Sequence, residues 1–200
     1  MVRIVAGAAK GRRIAAPTGN GTRPTSDRMR EALFSALESM LGSWHGMTVV
    51  DLYAGSGAVG FEAASRGAAS VVLVESDARA VRTLKSNAAH LDLPGVRVLD
   101  SSAERFAQRE SGRADVVFAD PPYALGADEL RQVLANLMDA GVVAGNTVVV
   151  VERASRDPKW SWPHGIASLR EKAYGEGTLW YGRAAGDTAA DSTDSAVDVN

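Results

Sequence analysis

Five valine-rich runs dominate the middle of this chain: Thr48–Tyr53, Ser70–Val74, Val96–Leu99, Asp115–Ala119 and Thr147–Val151. Most are apolar nearly throughout rather than at alternate positions, which is the pattern of strands buried on both faces. Between them apolar residues recur three and four apart, at Val81, Leu84, Ala88 and Leu91 and again at Leu130, Val133, Leu134 and Leu137. Such spacing places them on one face of a helix. Strands joined through helices run parallel, and the helices then cover the two faces of one sheet. The predicted core is therefore an α/β, doubly wound, mostly parallel sheet. Further helices are expected over Ala58–Arg66 and near Ala103–Gln108, and another from about Asp27 to Leu41, where Met29, Leu33, Leu37 and Met40 share a face.

Both ends depart from this alternation. Ile166–Tyr174 and Thr178–Arg183 flank the turn Gly175-Glu176-Gly177, so an antiparallel hairpin should finish the sheet. At the start, Arg3–Gly7 and Gly11–Ile14 read as two short strands around a turn. The expected organisation is a basic N-terminal extension over residues 1–23, a main domain over 24–185 and an acidic, disordered tail over 186–200.

The first strand runs into Asp51-Leu-Tyr-Ala-Gly-Ser-Gly-Ala-Val-Gly60, which contains the spacing G-x-G-x-x-G at Gly55, Gly57 and Gly60. Glycine lets the backbone approach a ligand closely. Glu75 stands twenty residues after Gly55, at the end of the second strand, where an acid can accept from both ribose hydroxyls. These features suit a nicotinamide dinucleotide as well as S-adenosylmethionine. Asp51 at a strand end, where a charged amino-acid portion would lie, and the lack of a second domain for a hydride-transfer substrate favour the latter. Tyr53, Ala54, Ser56 and Ser76 fall in the same contact region, and adenine is expected near Asp100, Ser102 and Ala103. A helix cap is an equal claim on those last polar residues.

The fourth strand ends in Asp120-Pro121-Pro122-Tyr123. Two prolines fix the backbone there. The corner offers the Asp120 carboxylate and the Pro121 carbonyl beside an aromatic ring, a set suited to holding a flat nucleobase by its exocyclic amine. Hydrogen bonds to those acceptors would localise the nitrogen lone pair and aim it at a sulfonium methyl, while Tyr123 stacks on the base.

Composition narrows the chemistry. The chain has no cysteine, which excludes disulfides, thiolate metal sites and the thiolate attack required for pyrimidine C5-methylation. His45, His90 and His164 show no metal-ligand spacing, so no metal is expected. No apolar run approaches the ~20 residues of a membrane span, and basic residues interrupt the N-terminus where a signal peptide would be apolar. A soluble cytoplasmic protein is expected, with a monomer as the simplest assembly. Residues 1–31 carry seven basic side chains (Arg3, Lys10, Arg12, Arg13, Arg23, Arg28 and Arg30), whereas residues 187–200 carry four aspartates and no basic residue. A basic head beside a base-binding corner points to a nucleic-acid partner.

Three segments together resemble the RsmD-type bacterial methyltransferases. They are Arg3-Ile-Val-Ala-Gly-Ala-Ala-Lys-Gly-Arg-Arg-Ile14, Arg23-Pro-Thr-Ser-Asp-Arg-Met-Arg-Glu31, and the glycine loop paired with Asp-Pro-Pro-Tyr123. The last pairing is common to many amine methyltransferases of nucleic acids, and the first two single out this family. The resemblance covers roughly residues 2–183. It implies a class I, Rossmann-like, seven-stranded methyltransferase fold with S-adenosylmethionine as donor. It also implies transfer to the exocyclic N2 of a guanine in 16S ribosomal RNA (guanine-966 in the family) during small-subunit assembly. By position, Gly55, Gly57 and Glu75 would hold the cofactor, Asp120–Tyr123 the base, and Arg23, Thr25, Arg28 and Arg30 would serve the RNA or organise the site. Three other activities remain compatible with parts of the sequence: adenine-N6 methylation of DNA, NAD-linked oxidoreduction, and a non-catalytic role in ribosome assembly.

Overall fold

A computed structural model describes residues 1–17 and 27–186. The central parallel strands are β3 (Thr48–Leu52), β4 (Ser70–Glu75), β5 (Val96–Asp100), β6 (Val116–Ala119) and β7 (Val148–Ala154). The preceding strands β1 (Val2–Arg3) and β2 (Arg13–Ile14) form a separate antiparallel ribbon. The final hairpin is β8 (Ile166–Tyr174) and β9 (Gly177–Ala184). Within the seven-stranded sheet the order is β5-β4-β3-β6-β7-β9-β8, so β9 pairs antiparallel with both β7 and β8. This is the sheet expected from the sequence.

Side-chain alternation explains how one sheet serves two cores. Val49, Val71, Leu73, Val116, Phe118, Val148 and Val150 face a layer containing α1 (Asp27–Leu41), α2 (Ala58–Ser65) and α3 (Ala78–Leu91). Val50, Leu52, Val72, Val74, Val117, Val149 and Val151 face α4 (Ala103–Arg109) and α5 (Ala127–Asp139). The edge strand β8 is exposed along most of its length, and Arg170, Glu171 and Lys172 discourage pairing with another chain there.

The N-terminal strands are shorter than the sequence suggests because their backbone has another partner. Val5 and Ala6 N–H groups donate to the Glu62 carboxylate at 2.7 and 2.9 Å, and Ala8 N–H donates to the Ser65 carbonyl at 2.7 Å. Gly7 permits this approach, since a Cβ built on it would lie 1.7 Å from the Ser65 carbonyl oxygen. Val2, Ile4, Ala9 and Ile14 consequently join the core cluster of the main sheet.

The sheet order also fixes where a ligand can lie. Strand β3 sits between β4 and β6, so the chain winds outward in opposite directions from it. Ligands of open α/β sheets bind beyond the carboxyl ends of the strands at such a switch point. Leu52 pairs with Ala119 across it, which brings the glycine loop and Asp120 to the same crevice.

Candidate active site

The crevice is a cleft of about 970 Å³, at the upper end of the range for small-molecule sites. Its wall includes Asp51, Tyr53, Ala54, Gly55, Ser56, Glu75, Ser76, Ser102 and Ala103, together with Asp120 to Tyr123. Two regions separated by about seventy residues of chain therefore meet on one surface.

Beyond β3 the backbone turns sharply. Tyr53 and Gly55 have φ of 59° and 55°, and Gly57 N–H donates to the Ala54 carbonyl at 2.7 Å. Glu75 organises this turn. Its Oε2 accepts from Gly55 N–H at 2.9 Å, and its Oε1 accepts from Ser76 and Asp77 N–H at 2.8 Å each. Three of roughly four acceptor sites are thus used, leaving about one for a ligand hydroxyl.

The three glycines divide their labour. Gly55 lines the cleft, and a Cβ built on it would meet only the Tyr53 carbonyl oxygen, at 3.9 Å. Gly57 and Gly60, expected from the sequence to contact a cofactor, lie outside the wall, and packing leaves no room for a side chain at either. A Cβ on Gly57 would lie 2.4 Å from the Phe61 ring, and one on Gly60 would lie 2.1 Å from Leu73 Cδ2. Gly60 also donates its N–H to Asp51 Oδ2 at 2.9 Å, so Asp51 secures the first turn of α2. Burial pushes the Asp51 carboxyl up to about 7, against the opposing effect of that hydrogen bond and with help from the Glu75 charge.

At the far end, Ser102 Oγ accepts from Arg105 N–H at 3.3 Å and caps α4 while still lining the cleft. Asp100 pairs in register with Glu75 but is exposed and lies outside the wall, whereas Ser102 lines it. Among the described residues, the Tyr53 hydroxyl is buried without a hydrogen-bond partner.

The corner after β6 is rigid and open to solvent. Leu125 N–H closes it onto the Pro122 carbonyl at 2.9 Å, and Tyr123 is 60% exposed. Burial, the Glu152 charge and the Asp51 charge raise the Asp120 carboxyl well above the ordinary carboxylate range, while Arg153 opposes them.

Several expected RNA contacts change. Arg30 is fully buried, with Nη2 donating to the Arg3 carbonyl at 2.6 Å and to Asp27 Oδ1 at 2.9 Å, so its guanidinium braces α1 against the ribbon instead of meeting RNA. Arg12 remains exposed but donates to the Leu91 carbonyl at 2.8 Å and to the His90 carbonyl, capping the C-terminus of α3. Arg3, Lys10, Arg13 and Arg28 are exposed. Arg23, Thr25 and the acidic tail lie outside the described residues.

The sequence reading missed the third wall. Glu152, Arg153, Asp157, Tyr174 and Gly177 complete the cleft beside the base corner, and the Arg156 guanidinium lies 5.9 Å from the Tyr123 ring centre. The fifth valine run pointed there, because its carboxyl end must emerge next to that of the fourth.

Against this geometry, the comparisons are consistent with one another. The family described as conserved hypothetical protein 95 matches residues 2–183. Ribosomal RNA small subunit methyltransferase D of Escherichia coli K12 is 34% identical over 192 residues, covering 95% of this chain and 94% of that protein. The chain belongs to the RsmD family of methyltransferases. The protein of the same name from Haemophilus influenzae is 33% identical over 87% of this chain and 89% of its own length. The solved structure of yhhF from Escherichia coli superposes with a TM-score of 0.79 at 32% identity, over 92% of this chain and 97% of that one. A more distant likeness, to an RNA methyltransferase from Salinibacter ruber in complex with S-adenosyl-L-homocysteine, has a TM-score of 0.62 at 16% identity over 86% of this chain and all of that one, and speaks to the fold alone. Membership of a methyltransferase family removes the oxidoreductase reading that the glycine loop left open. Among the described residues no helix is long and apolar enough to cross a membrane.

Proposed function

We propose that this protein transfers a methyl group from S-adenosylmethionine to the exocyclic N2 of a guanine in 16S ribosomal RNA of the assembling small subunit, the family's guanine-966. The observation that carries the proposal is the meeting of Asp120 with the glycine loop at the switch point of the sheet. The activity printed in the names of the RsmD relatives supports the RNA substrate.

The residues present fit the cofactor. The cleft is large enough for a nucleoside and a second flat ligand. Gly55 leaves room for close approach, Glu75 retains an acceptor site for ribose, and Ser102 with the unpartnered Tyr53 hydroxyl stands at the adenine end. Asp51 would hold the amino-acid ammonium, whose charge favours the ionised carboxylate that burial disfavours. When bound, the cofactor supplies an electrophilic methyl on a sulfonium.

The chain's own residues then prepare the nucleophile. A guanine amine is a poor nucleophile because its lone pair is delocalised into the ring. Asp120 and the Pro121 carbonyl accept its two N–H groups and draw the nitrogen toward tetrahedral geometry. Asp120 also stabilises the positive charge that develops on nitrogen, and the proton is lost afterwards from an acidic ammonium. The exposed Tyr123 ring stacks on the base once it has left its helix, a contact worth about 1–3 kcal/mol. Arg3, Lys10, Arg13 and Arg28 supply positive charge for the RNA backbone.

The test is direct. Undermethylated small subunits are incubated with labelled S-adenosylmethionine and the RNA is digested to nucleosides. Label in N2-methylguanosine is the expected result. Label in adenosine or in ribosomal protein would contradict the proposal.

A further inference from the structure

Asp120 has a second carboxylate beside it. Strands β6 and β7 run parallel with Ala119 paired to Val151, so the next residues, Asp120 and Glu152, leave the sheet abreast. Parallel neighbours are about 4.8 Å apart. Glu152 is half-buried in the cleft wall, with Oε1 over the backbone of Gly177. A Cβ at residue 177 would stand 3.0 Å from that oxygen and 3.2 Å from Met29 Cε, so the glycine leaves the carboxylate its place. After burial, the Glu152 charge is the largest influence raising the Asp120 carboxyl.

Two carboxyl groups side by side form a double acceptor, which a ligand presenting two adjacent N–H donors matches. Among the nucleobases, the guanine Watson–Crick edge places N1–H directly beside the N2 amine. Adenine has a lone pair at N1 beside its amine, and cytosine has one at N3. A carboxylate facing either lone pair would be repelled, whereas one facing guanine N1–H gains a charge-assisted hydrogen bond.

We propose that Glu152 is the specificity-determining residue for guanine, its carboxylate accepting N1–H while Asp120 and the Pro121 carbonyl hold the N2 amine. This assignment rests on the methyl transfer proposed above and adds the choice of base to it. It also explains why the same Asp-Pro-Pro-Tyr corner can serve different amines: the neighbouring strand reads the rest of the edge.

The test compares small-subunit RNA carrying guanine or 2-aminopurine at the target position. 2-Aminopurine keeps the exocyclic amine but has a lone pair at N1. Wild-type kcat/KM is expected to fall by roughly 100-fold on 2-aminopurine. In Glu152→Gln the amide can donate to that lone pair, so guanine slows, 2-aminopurine quickens, and the preference shrinks to less than about 10-fold. Glu152→Asp, which keeps the charge, retains the preference. Equal wild-type rates on the two RNAs overturn this assignment alone, and need no variant. So does an unchanged preference in Glu152→Gln that binds S-adenosylmethionine as wild type does. Failure of the wild type to methylate guanine at all overturns the proposed function and this assignment with it.

Discussion

The Gly55 amide donates to Glu75 Oε2 at 2.9 Å, tying the loop after β3 to the end of β4. One carboxylate thereby sets the shape of the glycine turn and, in the proposed function, would also offer the acceptor for a ribose. Glu75→Ala removes three backbone hydrogen bonds at once. Affinity for S-adenosylmethionine, read by calorimetry, is expected to fall at least about 10-fold, since each such bond to a charged group contributes roughly 1.5–3 kcal/mol. Glu75→Gln keeps the shape, loses fewer bonds and should fall between the two.

Glu62 holds the N-terminal ribbon to α2. It is fully buried, accepts from Val5 and Ala6, and pairs with Arg66 Nε at 2.8 Å. Glu62→Ala leaves two amides without their acceptor and the largely buried Arg66 guanidinium with Glu38, at 2.7 Å, as its remaining carboxylate. A loss of about 3–5 kcal/mol in urea unfolding is expected, the range for breaking a buried pair. A change under about 1 kcal/mol would mean that the ribbon docks by apolar contact alone.

Asp51 gives the protein a pH dependence whose sign is fixed. Its folded carboxyl titrates at about 7, against an ordinary 3.8, so the folded state binds the proton more tightly than the unfolded chain. Stability from this group is greatest below the unfolded value and is lost as pH rises between the two. Without cofactor, wild type should therefore lose stability relative to Asp51→Asn over that window, by on the order of a few kcal/mol. Thermal melts of both proteins across pH measure the difference. S-Adenosylmethionine favours the ionised form, so its affinity should rise from about pH 6 to about pH 8 in wild type and stay flatter in the variant.

The basic surface is testable by salt. Lys10 and Arg13 are exposed, whereas Arg12 is occupied at the end of α3. Changing Lys10 and Arg13 to Glu should weaken RNA binding and flatten the plot of log affinity against log salt by about one per lost phosphate contact. Arg12→Glu should instead lower the melting temperature. An unchanged salt slope in the double variant would move the RNA surface elsewhere.

How much of this was legible beforehand depends on the range of the interaction. The sheet, its hairpin and the bounds of α1 follow from periodicity, which is local, and the structure reproduces Asp27–Leu41. The motif residues Asp51, Gly55, Glu75 and Asp120–Tyr123 were readable because strand ends impose their own chemistry, and they converge on one cleft. The packing constraint at Gly57 and Gly60 was not readable, since a glycine hemmed in by neighbours and one open to a ligand look alike in a string. Nothing in the sequence singles out Glu62, and Arg30 reads there as serving the RNA or organising the site, because their backbone partners are 57 and 27 residues away in the chain. Glu152 was hidden by the same limit: only pairing of β6 with β7 sets it beside Asp120.

The central claim is that a base amine is held at Asp120 within reach of the donor methyl. Single-turnover methylation by Asp120→Ala, with S-adenosylmethionine affinity measured in parallel, addresses it most directly. The expected result is a rate lower by at least about 100-fold, as for loss of an electrostatic stabiliser of the transition state, with cofactor affinity retained within a few fold. Methylation at the wild-type rate by Asp120→Ala would contradict the account.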